Sequence, residues 1–181
     1  MKKKIRWITE TAVLLALLIV LQWVTKPLGQ IVTGSCVNAV LAVAALFVGL
    51  GGGLTVAFLS PLCAYLLGIA PNLVAVPAIM AGNAVFVLLL KLIAGNVKTL
   101  WKNVTAWLAA AVAKFAALYI LVVVLICGPL SGSLLEAGLM KKPMIAVMTA
   151  SFSWPQLVTA LIGGALAFVL VPVLKKALRK N

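Results

Sequence analysis

Lys114 is the residue that most constrains what chemistry this chain can do. It stands near the middle of an apolar run, 104–127, that is long enough to cross a lipid bilayer. A charge at that depth costs several kcal/mol unless it is paired, hydrated or turned toward a cavity. The chain has only two acidic residues, Glu10 and Glu136, and the apolar runs place neither at the depth of Lys114. A buried lysine without a carboxylate partner invites an anionic ligand group to complete the pair. The alternative is a lysine that gives up its proton or snorkels along its own apolar stem toward water.

Amides gather at similar depths. Asn83 lies inside the run 73–94, and Asn72 comes eleven residues earlier, three helical turns, so the pattern predicts both amides on one face. Pro77 between them is expected to loosen the backbone and free a carbonyl. Asn83 serves equally well as ligand contact or as interhelical glue. Asn38, Tyr119, Trp154 and Gln156 fall toward the outer ends of other runs, and Gln22, Trp23 and Gln30 flank the first outer connection. Aromatic faces with amides suit a flat, polar small molecule, whereas each residue alone is also a good interface anchor or helix contact.

An enzyme is hard to assemble from what remains. There is no histidine, no HExxH, no GxSxG and no GxxxxGK[ST] segment, and no acidic residue in a span beyond Glu10 at the cytoplasmic end of the first. No cofactor is expected: Cys36, Cys63 and Cys127 lack C-x-x-C spacing and a histidine to join them, so they read as small buried hydrophobes without zinc, haem or a disulfide. The absence of buried carboxylates also argues against proton or sodium coupling.

The elements that position these residues follow from composition. With 65% hydrophobic and 9% charged residues and a mean hydropathy of +1.26, the chain is an all-α integral membrane protein. The net charge of +13 would suggest nucleic acid in a soluble protein, but here the basic residues cap apolar runs, where lipid and the insertion machinery read them. Nucleic acid is therefore not an expected partner, and membrane lipid is. Breaks in hydropathy predict one transmembrane domain over 1–181, with six spans near 8–24, 32–50, 54–70, 73–94, 104–127 and 152–174. The first run is too long for a signal-peptide core. Gly51-Gly52-Gly53 is expected to form a very tight second connection, Pro71-Asn72 the third, and 95–103 a polar, basic fourth.

Charge sets the orientation. One side collects Lys2, Lys3, Lys4, Arg6, Lys91, Lys98, Lys102, Lys175, Lys176, Arg179 and Lys180, and the other only Lys26, Lys141 and Lys142. Both termini of the six-helix bundle are thus expected in the cytoplasm, with Trp7, Trp23, Trp101 and Trp154 at the interfaces. The long connector 128–151 carries Leu134, Leu135, Leu139, Met140 and Met144 at spacings suited to an amphipathic surface helix, either a lid or an inert interfacial loop. Small residues line three spans: Ala12 and Ala16; Ala106, Ala110, Ala113 and Ala117; Gly163, Gly164 and Ala167. Such stripes pack helices within a bundle or dock a partner.

Over essentially its full length the chain resembles the substrate-binding S components of energy-coupling factor (ECF) transporters. Ala12-Val-Leu-Leu-Ala16 is similar to the AxxxA segment that these proteins carry on their first helix. Gly82-Asn83, Lys114-Phe115 and Phe152-Ser-Trp-Pro-Gln156 are similar in kind to segments of S-component relatives. The resemblance implies a subunit that captures a vitamin or related micronutrient, docks through Ala12 and Ala16 on a transmembrane coupling subunit with two cytoplasmic ATPases, and topples to release its cargo at the cell membrane. On that footing Lys114, Asn83, Asn38, Asn72, Trp154, Gln156 and Tyr119 are the candidate substrate contacts, for a neutral or anionic molecule rather than a cation. A membrane scaffold and a stand-alone facilitator are the competing readings.

Overall fold

The computed structural model describes residues 2–69, 72–94 and 100–178. Eight α-helices run in chain order: α1 Lys2–Thr25, α2 Gln30–Val43, α3 Leu50–Leu66, α4 Val76–Ala94, α5 Leu100–Leu118, α6 Ser131–Glu136, α7 Lys142–Ser151 and α8 Trp154–Ala177. Two π-helical segments, Ala44–Val48 and Tyr119–Ile126, prolong α2 and α5. Among the described residues there is no strand. Five stretches are long and apolar enough to cross a membrane: Lys2–Leu28, Gln30–Val48, Leu73–Ala94, Trp101–Ile126 and Trp154–Ala177. The shorter α3 is apolar too; its 17 residues reach about 26 Å at 1.5 Å per residue.

Several boundaries differ from the sequence expectation. The chain reverses between α2 and α3 at Gly49, whose φ of +114° only glycine adopts without strain. Gly51-Gly52-Gly53 lies inside the first turn of α3 and is not a connection. These glycines let helices touch: a Cβ on Gly52 would fall 3.0 Å from Thr11 Oγ1, and one on Gly53 would fall 3.0 Å from the Ala45 backbone. Pro77 occupies the second position of α4, where its missing N–H costs nothing, so it does not loosen the helix. Trp101, Lys102 and Asn103 are helical, while Ala70, Pro71, residues 95–99, Arg179 and Lys180 lie outside the described residues. All three cysteines are unbridged and half-buried.

The helices pack as neighbouring pairs: α1 on α2 and α3, α3 on α4, α4 on α5, and α8 on both α2 and α5. One large core fills the space between them, built on Leu18, Leu41, Val56, Phe86, Leu90 and Ala110. The stripes of small residues on α5 and α8 are spent here, since Ala106, Ala110, Gly163, Gly164 and Ala167 are all buried. By contrast Ala12 and Ala16 are exposed, on a face of α1 that also exposes Val13, Leu17 and Val20. That outward apolar surface is what a lipid solvent permits.

The connectors at one end are tied to each other. Lys26 Nζ donates to the Gly68 carbonyl at 2.9 Å, Thr33 Oγ1 to the Thr25 carbonyl at 2.8 Å, and Asn72 Nδ2 to the Leu139 carbonyl at 3.3 Å. The long connector is two short helices, α6 and α7, in place of one amphipathic helix. Met140, Met148 and Phe152 are buried against Leu118, Val122 and Ile126 in a second, smaller core, with Leu134 and Met144 packed on it. It folds back over the end of α5, while Leu139 stays exposed.

Close approach of α8 to α2 should be the least forgiving contact. A Cβ on Gly163 would fall 2.5 Å from Asn38 Cβ, 2.6 Å from the Ala39 nitrogen and 2.7 Å from the Ser35 oxygen, and backbone cannot step aside. We expect Gly163→Val to lower stability by about 1–3 kcal/mol or more, read as a lower unfolding temperature in detergent. Gly132→Val should leave the temperature unchanged, because a Cβ on Gly132 would meet nothing within 4 Å.

Candidate functional site

Lys114 is 3% exposed and is held by two amides. Its Nζ donates to Asn38 Oδ1 at 2.5 Å and to Asn83 Oδ1 at 2.7 Å, bringing α5, α2 and α4 to one point. The ammonium also lies 5.5 Å from the centroid of the Phe86 ring, within cation–π range. The lysine therefore does not snorkel. Hydrogen bonds to a charged donor are worth about 1.5–3 kcal/mol each, which offsets part of the cost of burying it. Neither amide carries a negative charge, so no acidic group in the cluster offsets a charge on the lysine.

Glycines make this geometry attainable. Gly82 sits beside Asn83, and a Cβ there would fall 2.6 Å from Leu118 Cγ, one turn beyond Lys114. Backbones of α4 and α5 can thus approach closely at the level of the lysine. On the other side Gly34 and Gly163 do the same for α2 and α8 around Asn38. There Asn38 Nδ2 donates to Thr159 Oγ1 at 3.2 Å, and Thr159 Oγ1 donates to the Gln156 carbonyl at 3.1 Å. The Gln156 side chain in turn donates to the Ser151 carbonyl at 3.0 Å, fixing the start of α8.

A cavity of about 150 Å³ opens beside the cluster. Lys114, Asn38, Asn83 and Gln156 line it, together with Gln22, Gln30, Thr33 and Ser60. Val37, Ile79, Leu118 and Phe152 give it apolar walls. Lys114 is the one ionisable residue among those lining it. The lining residues belong to the ends of α1, α3 and α5 and to the beginnings of α2, α4 and α8, which is the end tied by the connectors and the end away from Lys2.

Four of the seven residues expected from sequence as ligand contacts thus meet at one cavity, and three do not. Asn72 lies before α4 in extended backbone, where its Oδ1 accepts from the Val74 N–H at 2.9 Å and its Nδ2 clips the Leu139 carbonyl. It does not share a helix face with Asn83. Tyr119 comes five residues after Lys114, about 140° round an ideal helix, and it opens the π segment, half-exposed against the Phe115 ring at 5.8 Å. Trp154 is two residues before Gln156, about 200° round, and is 64% exposed, as an interface anchor would be. Thr33, Ser60 and Thr159 were not singled out from sequence. Their hydroxyls are common in spans, where they usually bond their own helix, so they give little signal.

With the geometry established, comparison with known proteins bears on its meaning. The family model for the ECF transporter substrate-specific component matches residues 6–175. The chain belongs to that family. It is a multi-pass membrane S component, a transporter subunit for substrate capture and not an enzyme. No curated protein and no solved structure matches the S component at a significant level.

The cluster in this S component should unravel at its hydroxyl link. Thr159→Val keeps the shape but leaves Asn38 Nδ2 without an acceptor, and we expect a loss of about 1–3 kcal/mol. Thermal unfolding in detergent measures it, with the exposed Thr9→Val as a control expected to change little.

Proposed function

We propose that this S component captures a neutral or anionic small molecule, of the micronutrient class, in the cavity beside Lys114, with Asn38, Asn83 and Gln156 as further contacts. The observation that carries this reading is a 97%-buried lysine without a carboxylate partner among the described residues, standing at the wall of a cavity. A lysine present only as packing glue needs no cavity beside it. The chain forms one transmembrane domain with six spans, α3 being the short one, and both termini face the cytoplasm. The charge asymmetry supports that orientation, and it turns the cavity outward, toward a substrate arriving from outside a plasma membrane.

Energy comes from partners. Ala12 and Ala16 dock on a transmembrane coupling subunit and, through it, on two cytoplasmic ATPases, which drive inward release. The exposure of both alanines on α1 supports this, while the other small-residue stripes are consumed in internal packing. Asn72, Tyr119 and Trp154 act here as clip, ring contact and interface anchor.

Two experiments test the reading. Native mass spectrometry of the detergent-released protein should reveal a bound small molecule that is absent from Lys114→Ala; lipid alone in both, even after soaking with a panel of vitamins, would favour a membrane scaffold. Ala12→Leu with Ala16→Leu should abolish co-purification of the coupling subunit while ligand binding stays intact. A complex unaffected by both substitutions would place the docking face elsewhere.

A further inference from the structure

Size, charge and unmet hydrogen bonds together specify what fits the cavity beside Lys114. Cavities of roughly 150 Å³ take up one benzene-sized ring, and this one has that volume. Two fused rings would have to project beyond it. Its walls carry one basic side chain and no carboxylate, so nothing there pairs with a cation, whereas a monoanion meets the lysine as its counter-charge.

The hydrogen-bond pattern goes further. The Lys114 ammonium has three N–H groups, and two are given to Asn38 and Asn83. The third has no acceptor among the described residues. Because Asn83 turns its oxygen to the lysine, its own N–H₂ group is left facing elsewhere, and it too finds no acceptor among the described residues. Both residues line the cavity, which gives its wall two unmatched donors, a complement to the two oxygens of a carboxylate. From another wall comes Gln22, on α1, which packs against α2 and α3 whereas α5 packs against α4 and α8. Its Oε1 is buried and receives no hydrogen bond. A buried acceptor is rarely left unpaired.

We propose that the cavity selects a single-ring organic carboxylate that also carries an N–H or O–H donor. The carboxylate meets Lys114 and Asn83, the donor meets Gln22, and the ring lies against Ile79, Leu118 and Phe152. This rests on the cavity being the capture site.

The test is calorimetric titration of the full-length protein in detergent with benzoate, 3- and 4-hydroxybenzoate, benzamide and 2-naphthoate. Benzoate should bind at least about tenfold more tightly than benzamide, and one hydroxybenzoate about tenfold more tightly than benzoate, as expected for a buried group gaining its partner. The larger 2-naphthoate should not bind. Gln22→Leu should erase the advantage of the hydroxyl while benzoate affinity stays within about twofold. Lys114→Met should erase the preference for benzoate over benzamide; if that variant does not fold, the wild-type ratios and Gln22→Leu decide alone. Equal affinity for benzoate and benzamide, or a co-purified ligand that is cationic or fused-ring, overturns this ligand class and leaves the capture reading standing. Absence of any bound small molecule, added or co-purified, overturns both.

Discussion

Everything at the centre of this protein is arranged around one lysine amine that is buried and has no carboxylate to meet. Two amide oxygens from two other helices take that role at 2.5 and 2.7 Å. An amide is a weaker partner than a carboxylate because it cannot cancel a charge. A lysine neutralised by a buried aspartate would have little left for a ligand. Held by asparagines, it is fixed in place without a counter-charge.

Helix packing follows from the same constraint. Side chains as short as asparagine reach a lysine on a neighbouring helix only where backbones come close, and close approach in a bilayer requires small residues at the contact. Gly82 opposite Leu118 and Gly163 opposite Asn38 supply it at the level of the cluster. The hydrogen bond from Asn38 to Thr159 then links the cluster to α8, and Gln156 carries the link to the Ser151 carbonyl at the start of that helix. Four helices are thereby registered against one another by a handful of polar atoms within a mostly apolar core.

Much of this was legible in the sequence. Hydropathy marked where the long apolar helices lie, five of them long enough to cross a membrane and α3 shorter, and the scarcity of polar groups inside them made Lys114, Asn38, Asn83 and Gln156 conspicuous. What could not be read was facing. Asn72 looked like a neighbour of Asn83 only while a helix was assumed to run through both; its extended backbone makes it a cap. Trp154 and Tyr119 are close to site residues in number but far from them around the helix. The triple glycine was ambiguous for another reason: glycine permits both a turn and a tight helix contact, and only the position of α1 decides between them. Hydroxyls such as Thr159 were invisible because an ordinary serine or threonine in a span satisfies itself.

The ties across the connector end share one chemical trait: Lys26, Thr33 and Asn72 each donate to a main-chain carbonyl, at Gly68, Thr25 and Leu139. Every residue type offers that acceptor. Half of each tie is therefore indifferent to sequence, so the partners can change identity while the rim above the cavity keeps its form. The rim is free to vary along the connectors, and the demands on residue identity are concentrated below it, at the lysine and its two amides.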